Sequence, residues 1–223
     1  MKKPSKYRSK DVNEFFRSKG PINQNALGKI ERLPRKFYAR HALEVSLDLL
    51  GLMLIHKTGD GPTAGIITEV EAYAGPGDRA CHAYNMRRTK RNEIMYGLPG
   101  MAYVYFTYGM HYCFNVVVSE EGIPHAVLIR SIEPVLGESL MLRRRKGRLP
   151  LASGPGRLSQ AMGIGREQNG ADLITGNLYI AKPPDSHKVT GELQIVRTPR
   201  IGIDYAGEAR DYPWRFMLYP KHH

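Results

Sequence analysis

The stretch from Met101 to Ser119 (MAYVYFTYGMHYCFNVVVS) constrains the fold of this chain more than any other segment. It is dense in Tyr, Val and Phe, and one short break interrupts it, at Tyr108-Gly109-Met110. β-branched and aromatic residues favour strands, and a glycine-containing break between two such runs is typical of a tight turn. The segment therefore predicts two antiparallel strands joined as a hairpin.

Other segments predict the partners of this hairpin. Further strands are predicted at Leu54 to His56, Ala64 to Tyr73, Ala126 to Ile132, Leu178 to Ala181, Leu193 to Arg197 and Trp214 to Leu218. Helical spacing of apolar residues or capping signals predict helices at Ala39 to Met53, Gly137 to Lys146 and Leu158 to Met162. The sum is an α+β fold in which a mixed, mostly antiparallel, curved β-sheet carries flanking helices and a protruding β-hairpin.

The length of the chain favours one domain. With 223 residues it can bury one sizeable core, and we assign residues 31–223 to that domain. Residues 1–30 are basic and polar, with one short helical hint at Val12 to Arg17. We expect them to form a loosely ordered arm, which either touches phosphates or is simply a mobile terminus.

The charge of the chain points to a polyanionic partner. It holds 33 Lys and Arg against 21 Asp and Glu, a formal net charge of +12 and a pI near 9.7. Such an excess attracts nucleic acid both directly and through the release of condensed counterions. Nucleic acid is the leading partner, and a basic surface kept for solubility is the alternative.

The cysteines and the hydropathy pattern restrict the compartment. The two cysteines, Cys81 and Cys113, have no paired spacing, so they describe neither a disulfide framework nor a zinc site. No run of about twenty apolar residues is present, and no apolar signal core follows the basic first ten residues. We expect an intracellular protein in a reducing compartment, without a membrane span.

The strand predicted up to Tyr73 carries the first candidate chemistry. A period of two places Glu69, Glu71 and Tyr73 on one of its faces. Two carboxylates and a phenol at the end of an apolar strand suit a task such as polarising a water molecule. The alternative is a face that meets solvent, and spacing alone does not choose between Glu69 and Glu71.

The predicted hairpin turn carries the second candidate function. Tyr108 and Met110 are large apolar residues where such turns prefer Asn, Asp and Gly. Exposed at a tip, they could act as a wedge between stacked base pairs. The alternative is a turn that folds back and buries the tyrosine ring. Just ahead of the hairpin, the run from Arg87 to Asn92 offers cations, Arg87 and Arg91 among them, that would bind phosphates.

Together these residues resemble a known family, the alkyladenine (3-methyladenine) DNA glycosylases, and the short arm resembles its bacterial-type members. The resemblance runs from about Leu33 to about Tyr219. It is carried by ordered segments: Glu71-Ala72-Tyr73-Ala74-Gly75-Pro76, His82, Arg91-Asn92, Met95, Pro99-Gly100, Tyr103-Val104-Tyr105, Tyr108-Gly109-Met110, Asn115, Arg130, Glu133-Pro134, Ser153-Gly154-Pro155, Tyr205-Ala206-Gly207-Glu208 and Pro213-Trp214-Arg215-Phe216.

The resemblance implies roles for individual residues. Glu71 would be the general base that activates the attacking water, and Arg130 would orient that water or a nearby phosphate. Tyr73, His82 and Tyr105 would line the pocket and stack around a flipped base. Every base has a π-face, so an aromatic pocket accepts many modified purines.

Two further positions receive roles in the same way. Asn115 would disfavour guanine through a clash with its 2-amino group, and Tyr108 would be the intercalating wedge. Two features depart from the pattern. Cys81 stands where the family leads us to expect a small residue, and the connection from Asn115 to Arg130 is slightly longer than expected.

The resemblance also implies an activity. The chain would be a monofunctional base-excision-repair glycosylase without lyase activity, metal or cofactor. It would act as a monomer in the cytoplasm, at the nucleoid, on double-stranded DNA that contains alkylated or deaminated purines. Lesions pair and stack poorly, which lowers the cost of flipping them out of the duplex. The preferred lesion among 3-methyladenine, 7-methylguanine, hypoxanthine and ethenoadenine is left open.

Two other functions compete with this hypothesis. The same basic surface and aromatic hairpin could belong to a non-catalytic nucleic-acid-binding module with a fold like the C-terminal domains of formyltransferases. Such a module would have no need of Glu71, His82 and Arg130 together. Binding to a membrane surface through the basic arm is the weaker alternative, since no convincing amphipathic basic helix is present.

Overall fold

A computed structural model describes residues 20–188 and 193–221 of the chain. Their core is one eight-stranded, curled, antiparallel sheet flanked by helices, so the predicted α+β class is confirmed. The strands are β1 (Met53–Thr58), β2 (Gly61–Tyr73), β3 (Ala102–Thr107), β4 (His111–Val118), β5 (His125–Leu136), β6 (Leu178–Ala181), β7 (Leu193–Thr198) and β8 (Arg215–Pro220).

The helices are short. The α-helices of the described residues are α1 (Arg35–Tyr38), α2 (Ala42–Leu49), α3 (Glu138–Arg144) and α4 (Pro155–Met162). Turns of 3-10 helix occur at Gln24–Lys29, Gly75–Gly77, Tyr84–Met86, Glu93–Tyr96, Arg166–Gln168, Asp185–His187 and Asp204–Asp211. None of the helices in the described part of the chain is long and apolar enough to span a bilayer.

Strand β2 is the centre of the sheet because it pairs with three other strands. The main order is β3-β4-β5-β2-β1-β6. On one side β2 runs along β5, and on the other its first half pairs with β1 while Glu69, Val70 and Glu71 pair with β8. Strand β7 extends the sheet beyond β8. This branching bends the sheet and brings β8 beside the end of β2.

The two faces of the sheet are covered differently. One face packs against helices α2 and α4 and forms the largest apolar core, to which Val70, Phe114 and Ile129 belong. The opposite face of β2 to β5 is covered by residues 74–100 and by residues 199–214, two segments of turns and short 3-10 helices. Irregular segments leave space that a packed helix would fill, and a pocket lies between them and the sheet.

The helix predicted from Ala39 to Met53 is shorter in the structure. Helix α2 begins after His41, whose Nδ1 accepts a hydrogen bond from the Leu43 amide at 3.3 Å. It ends before Gly51, which has a φ of 85°, outside the helical region. The apolar periodicity therefore located the helix correctly but continued past both of its ends.

The predicted N-terminal arm is described only in part. Residues 1–19, including the helical hint at Val12 to Arg17, lie outside the described residues. Within residues 20–30, Ile22 and Leu27 are buried beside the apolar side chains of β1 and β6, and the Ile22 amide donates to the Val135 carbonyl at 2.8 Å. This part is attached to the sheet, whereas the sequence predicts a loosely ordered segment.

Candidate active site

A pocket of about 350 Å³ lies between the sheet and the two irregular segments. Its volume is within the range of sites that hold small organic groups. Its walls come from β3, β4, β5 and residues 80–95 and 201–205. The lining residues are Tyr73, Ala80, Cys81, His82, Arg91, Met95, Tyr103, Tyr105, Thr107, Tyr108, Cys113, Asn115, Ala126, Leu128, Arg130, Pro155, Ile201, Gly202, Ile203 and Tyr205.

The register of the sheet places four side chains in a row beneath this pocket. Tyr103 on β3 lies opposite Asn115 on β4, Asn115 lies opposite Leu128 on β5, and Leu128 lies opposite Glu71 on β2. Directly opposed residues of antiparallel strands share a face. The strand alternation that buries Val70 in the helix-covered core therefore aims Glu71 at the pocket side.

Glu71 is fully buried and each of its oxygens is held. Its Oε2 accepts a hydrogen bond from the Tyr73 hydroxyl at 2.9 Å, and its Oε1 accepts one from the Ile201 amide at 2.8 Å. The Arg130 guanidinium lies 3.3 Å from Oε1. All three donors line the pocket, but the carboxylate itself does not border it in this conformation. One layer of hydrogen-bond donors separates Glu71 from the cavity.

Arg130 reaches the site through an irregularity in β5. The β2–β5 register passes from Val70 opposite Ile129 to Glu69 opposite Ser131, so Arg130 is an extra residue on β5. Such a bulge redirects a side chain. Arg130 donates through Nε to Glu69 at 2.9 Å. The carboxylates of Glu71 and Glu69 lie close to its guanidinium and raise the pKa of Arg130, although burial opposes that shift.

The structure separates the two candidate carboxylates. Glu69 Oε1 accepts hydrogen bonds from both Arg130 and Arg215, the latter at 2.6 Å, and Glu69 does not line the pocket. Glu71 is bonded to residues that do line it. Neither carboxylate lines the pocket itself, but all three partners of Glu71 do, whereas Arg215, one of the two donors to Glu69, does not.

Three aromatic side chains form one wall. The ring centroids of His82 and Tyr105 are 4.7 Å apart, and those of Tyr103 and Tyr105 are 5.4 Å apart. The His82 Nδ1 and the Tyr103 hydroxyl form a hydrogen bond of 2.8 Å. Burial, with Arg91 and Arg87 nearby, lowers the pKa of His82 to about 4, so the imidazole is neutral at physiological pH. The wall is therefore aromatic and uncharged.

The floor of the pocket contains a fixed amide and two thiols. Asn115 is buried, and its Nδ2 donates to the carbonyls of Tyr103 at 3.1 Å and Cys113 at 3.4 Å. Cys81 and Cys113 both line the cavity as free cysteines. Burial raises the pKa of the Cys81 thiol to about 11, so it stays protonated and acts as a small apolar group.

The hairpin turn places Tyr108 at the mouth of the pocket. Its side chain is 80% exposed and also lines the cavity, so the turn does not fold back to bury the ring. Met110 is 70% exposed, but it faces a neighbouring groove rather than the pocket. The structure thus brings Tyr108 to the candidate site and places Met110 beside it, outside the cavity.

The two predicted phosphate-binding cations differ in their relation to the pocket. Arg91 lines the pocket, its guanidinium carbon lies 5.0 Å from the centroid of the Tyr105 ring, and its Nη2 donates to the Phe106 carbonyl at 3.3 Å. Arg87 is exposed and does not line the cavity. Both are close enough to His82 to lower its pKa.

The sequence did not single out the contribution of residues 199–205. The Ile201 group that holds Glu71 is a backbone amide, and any residue other than proline provides one, so no side-chain pattern marks it. Tyr205 lines the pocket, is 69% exposed and donates to the Ala80 carbonyl at 3.4 Å. Tyr205 lies in one of the segments that carry the family resemblance, and this was the one sequence feature that pointed to it.

The arrangement combines a buried carboxylate, a guanidinium and an aromatic cavity with an exposed tyrosine at its mouth. Such a cavity can hold a flat ring, and a carboxylate behind its wall is a group that can accept a proton. Across the described residues, no group of three or more His, Cys, Asp and Glu side chains has an arrangement that could hold a metal ion.

Comparison with known proteins identifies similar sequences over most of the chain. The family described as methylpurine-DNA glycosylase (MPG) matches residues 36–222. This range contains every residue of the pocket and both covering segments, so the similarity extends to the whole candidate site.

Curated relatives agree with this match. A protein of Desulfitobacterium hafniense (strain Y51) is 46% identical over 199 residues, which cover 85% of this chain and 96% of the relative. One from Bacillus thuringiensis (strain Al Hakam) is 47% identical over 191 residues, covering 82% and 93%. One from Clostridium acetobutylicum is 46% identical over 197 residues, covering 84% and 94%. Each bears the name "Putative 3-methyladenine DNA glycosylase".

Proposed function

The chain belongs to the methylpurine-DNA glycosylase family, and from that premise we propose that it excises damaged purines from double-stranded DNA with a water molecule activated by Glu71. Membership of the family makes it a DNA glycosylase that acts in DNA repair. The observation that carries the finer proposal is the placement of Glu71. Its carboxylate lies directly behind three residues that line an aromatic pocket, and all three contact its oxygens.

The proposed reaction is hydrolysis of the N-glycosidic bond. The bond between C1′ of deoxyribose and the purine nitrogen breaks, the departing base takes the bonding electrons, and the oxygen of water bonds to C1′. The Glu71 carboxylate accepts a proton from that water and stabilises the positive charge that develops on the sugar. Because Glu71 is fully buried, the Tyr73 hydroxyl or the Ile201 segment has to move aside to admit the water.

The pocket supports recognition by stacking. Tyr105 and Tyr73 offer rings to a flat base, and neutral His82 adds no charge that would repel a cationic alkylated purine. Asn115 is fixed by two backbone carbonyls, so it cannot yield readily to the additional amino group of guanine. We propose that this combination admits modified purines and disfavours guanine.

The mouth of the pocket supports base flipping by a single copy of the chain. Tyr108 would enter the stack in place of the extruded nucleotide, with Met110 beside it, and Arg87 and Arg91 would bind phosphates near the pocket. Among the residues that line the pocket there is no lysine, so an amine nucleophile for strand-cleaving chemistry is not provided there. We therefore propose a monofunctional enzyme that acts as a monomer.

The test is an excision panel on duplexes that each contain one defined lesion: hypoxanthine, ethenoadenine, 3-methyladenine or 7-methylguanine. Single-turnover release is followed by alkaline cleavage of the abasic product. Glu71→Gln keeps the size of the side chain but removes the base. We expect it to slow release by roughly 100- to 10,000-fold, the usual contribution of a general base, while affinity for the duplex stays nearly unchanged.

The matched control is Glu93→Gln. Glu93 is an exposed glutamate that is paired with Arg88 and does not line the cavity, so this variant should excise at the wild-type rate. Turnover by Glu71→Gln equal to that of the control would remove Glu71 as the base. Failure of the wild-type protein to release any of the four bases would reject the proposed substrate class.

A further inference from the structure

A buried ion pair lies behind the pocket. The side chains of Asp78 and Arg200 have no exposed surface, and neither residue lines the cavity. The pairing is bidentate: Nη1 of Arg200 bonds Oδ2 of Asp78, and Nη2 bonds Oδ1 at 2.8 Å. Asp78 belongs to the segment that follows β2, and Arg200 to the segment that precedes β8. The pair joins the two irregular segments that cover this face of the sheet.

Arg200 is also fixed by its other neighbours. Its guanidinium carbon lies 4.8 Å from the centroid of the Tyr73 ring and 5.0 Å from that of Trp214. Its Nη1 donates to the Ala72 carbonyl at 2.8 Å, and its Nη2 donates to the Ala209 carbonyl at 3.2 Å. The planar group is therefore held against the end of β2 from several directions, and it has little freedom to shift.

Arg200 is connected to both carboxylate oxygens of Glu71 through its neighbours. The residue after Arg200 is Ile201, whose amide donates to Oε1 of Glu71 at 2.8 Å. The ring against which Arg200 lies belongs to Tyr73, whose hydroxyl donates to Oε2 at 2.9 Å. Arg200 therefore contacts or adjoins both residues that donate to the Glu71 carboxylate. A displacement of Arg200 would move the Ile201 amide and the Tyr73 hydroxyl together.

Asp78 organises the adjoining wall in addition to holding Arg200. Its carboxylate accepts hydrogen bonds from the Ala74 amide at 3.2 Å and from the Ala80 amide at 3.0 Å. These bonds close the turn that leads into Cys81 and His82, which line the pocket. The ion pair consequently couples the position of the wall that contains His82 to the position of the Glu71 carboxylate.

A buried ion pair is weak evidence for stability, because desolvation of the two charges offsets most of their attraction, and well-packed apolar residues often stabilise a site as well. The bidentate pairing fixes the orientation of the two planar groups relative to each other, since two parallel hydrogen bonds join them. We propose that Asp78 and Arg200 are positioning residues that set the orientation of the Glu71 carboxylate for catalysis. This inference rests on the proposed role of Glu71 and extends it to residues outside the pocket.

The test separates positioning from folding. Arg200→Lys retains the charge but loses the planar fork, and Asp78→Asn retains the size of the carboxylate but loses its charge. Each variant is measured for its circular dichroism and thermal unfolding, and for single-turnover release of hypoxanthine over a range of enzyme concentrations. The concentration series yields a saturated rate and an apparent Kd separately.

The matched control is Arg35→Lys. Arg35 also connects distant segments, through hydrogen bonds of 2.7 Å to the Pro99 carbonyl and to the Asp172 carboxylate, but neither it nor Asp172 lines the pocket. We expect the control to keep both the wild-type rate and the wild-type Kd. Any general effect of weakening an arginine that spans two segments would appear in this variant.

We expect the saturated rate of Arg200→Lys and of Asp78→Asn to fall on the order of 100-fold, as for a misplaced catalytic group, with an apparent Kd within about 3-fold of wild type. The double variant should lose no more than the worse single variant, since the two residues act as one unit.

Three results would overturn the inference. They are a wild-type rate in both folded variants, a loss that appears wholly in the Kd, and a failure of both variants to fold, which would assign the pair to stability alone. Failure of the proposed function gives a different result, because the wild-type protein and Arg35→Lys would then release no base either.

Discussion

Tyr108 occupies a backbone conformation that usually belongs to other residues. Its φ is 50° and that of Gly109 is 67°, the pair of positive values that type I′ turns require, and the Met110 amide donates to the Thr107 carbonyl at 3.2 Å. Asn and Gly adopt this conformation readily, whereas a side chain such as Tyr costs roughly 1–2 kcal/mol there. The ring is 80% exposed, so no burial offsets the cost.

A strained and exposed aromatic residue predicts opposite effects on stability and on activity. Tyr108→Asn should raise the free energy of unfolding by about 1 kcal/mol, or the Tm by about 2–4 °C for a chain of this size. Because the variant lacks the ring that we propose enters the base stack, it should also release hypoxanthine more slowly at saturating enzyme. Calorimetry and single-turnover excision measure the two effects.

Tyr108→Phe is the control for this prediction, since it keeps the ring and the strained backbone. It should match the wild-type protein in both measurements. An Asn variant that excises at the wild-type rate would remove Tyr108 as the wedge, and one without a gain in Tm would show that the turn is not strained.

At the scale of elements, β2 and β5 approach each other closely at Gly65. A Cβ added at this position would lie 2.7 Å from Cδ1 of Ile132 and 2.9 Å from the Glu133 carbonyl oxygen. The second of these is backbone and cannot rotate away. The register between the two strands also shifts at Ala64 and Gly65. The irregular pairing therefore depends on a residue without a side chain.

Gly65→Ala should lower the free energy of unfolding by about 1–3 kcal/mol, because β5 has to move away from β2 to admit the methyl group. Gly59→Ala is the matched control: nothing lies within 4 Å of its added Cβ, and the change should stay within about 0.5 kcal/mol. Urea unfolding of both variants gives the comparison. Equal stabilities would show that the strands can separate at no cost.

The sequence predicted the elements of this sheet better than their connections. Alternation in β2 put Glu71 on the face opposite Val70, and the composition of residues 101–119 placed the hairpin turn where the structure has it. The bulge that makes Arg130 an extra residue and the switch of β2 from β1 to β8 follow from the pairing of distant strands. The spacing of residues within one segment does not predict such pairing, because the pairing of distant strands depends on tertiary packing.

For the whole molecule, the candidate site was predictable where it depends on side chains in regular strands. Tyr105 and Asn115 lie on strands whose faces alternation assigns, and the structure places them around one cavity with His82. Ile201 and the Asp78–Arg200 pair were not predictable in this way. They lie in irregular segments, where neither period two nor the helical period relates one side chain to another.

Buried histidines couple the stability of the whole fold to pH. Burial lowers the pKa of His82 and of His125 to about 4 and also lowers that of His56. In the unfolded chain these histidines become protonated as the pH falls below about 6.5, whereas in the folded protein they stay neutral to a lower pH. Their contribution to stability is therefore complete above pH 6.5 and is lost as the pH falls towards 4.

We therefore expect the Tm to be nearly constant above pH 7 and to fall progressively between pH 6.5 and 4. His125→Asn should flatten this decline, because it removes one of the groups that the unfolded chain protonates, whatever its effect on stability at pH 7. Differential scanning calorimetry across this range is the measurement. An equally steep decline in the variant would show that His125 takes no part in it.

The net charge of +12 predicts a steep salt dependence of DNA binding, but not every cation contributes to it. Arg40 is paired with Asp48 at 2.8 Å, so its charge is already offset within the protein. Arg87 is exposed near the pocket mouth, close enough to His82 to lower the pKa of that imidazole. A cation that replaces a counterion at a phosphate should contribute about one unit to the slope of log K against log salt.

Arg87→Gln should accordingly reduce that slope by about 1 and weaken binding most at low salt, whereas Arg40→Gln should leave the slope unchanged. Fluorescence anisotropy of a labelled, undamaged duplex between 50 and 200 mM salt, roughly the range over which counterion release is strong, measures both. The net charge of the two variants is the same, so a difference between them reflects where each charge sits. Identical slopes would instead assign the electrostatic attraction to the overall charge of the molecule and not to the rim of the pocket.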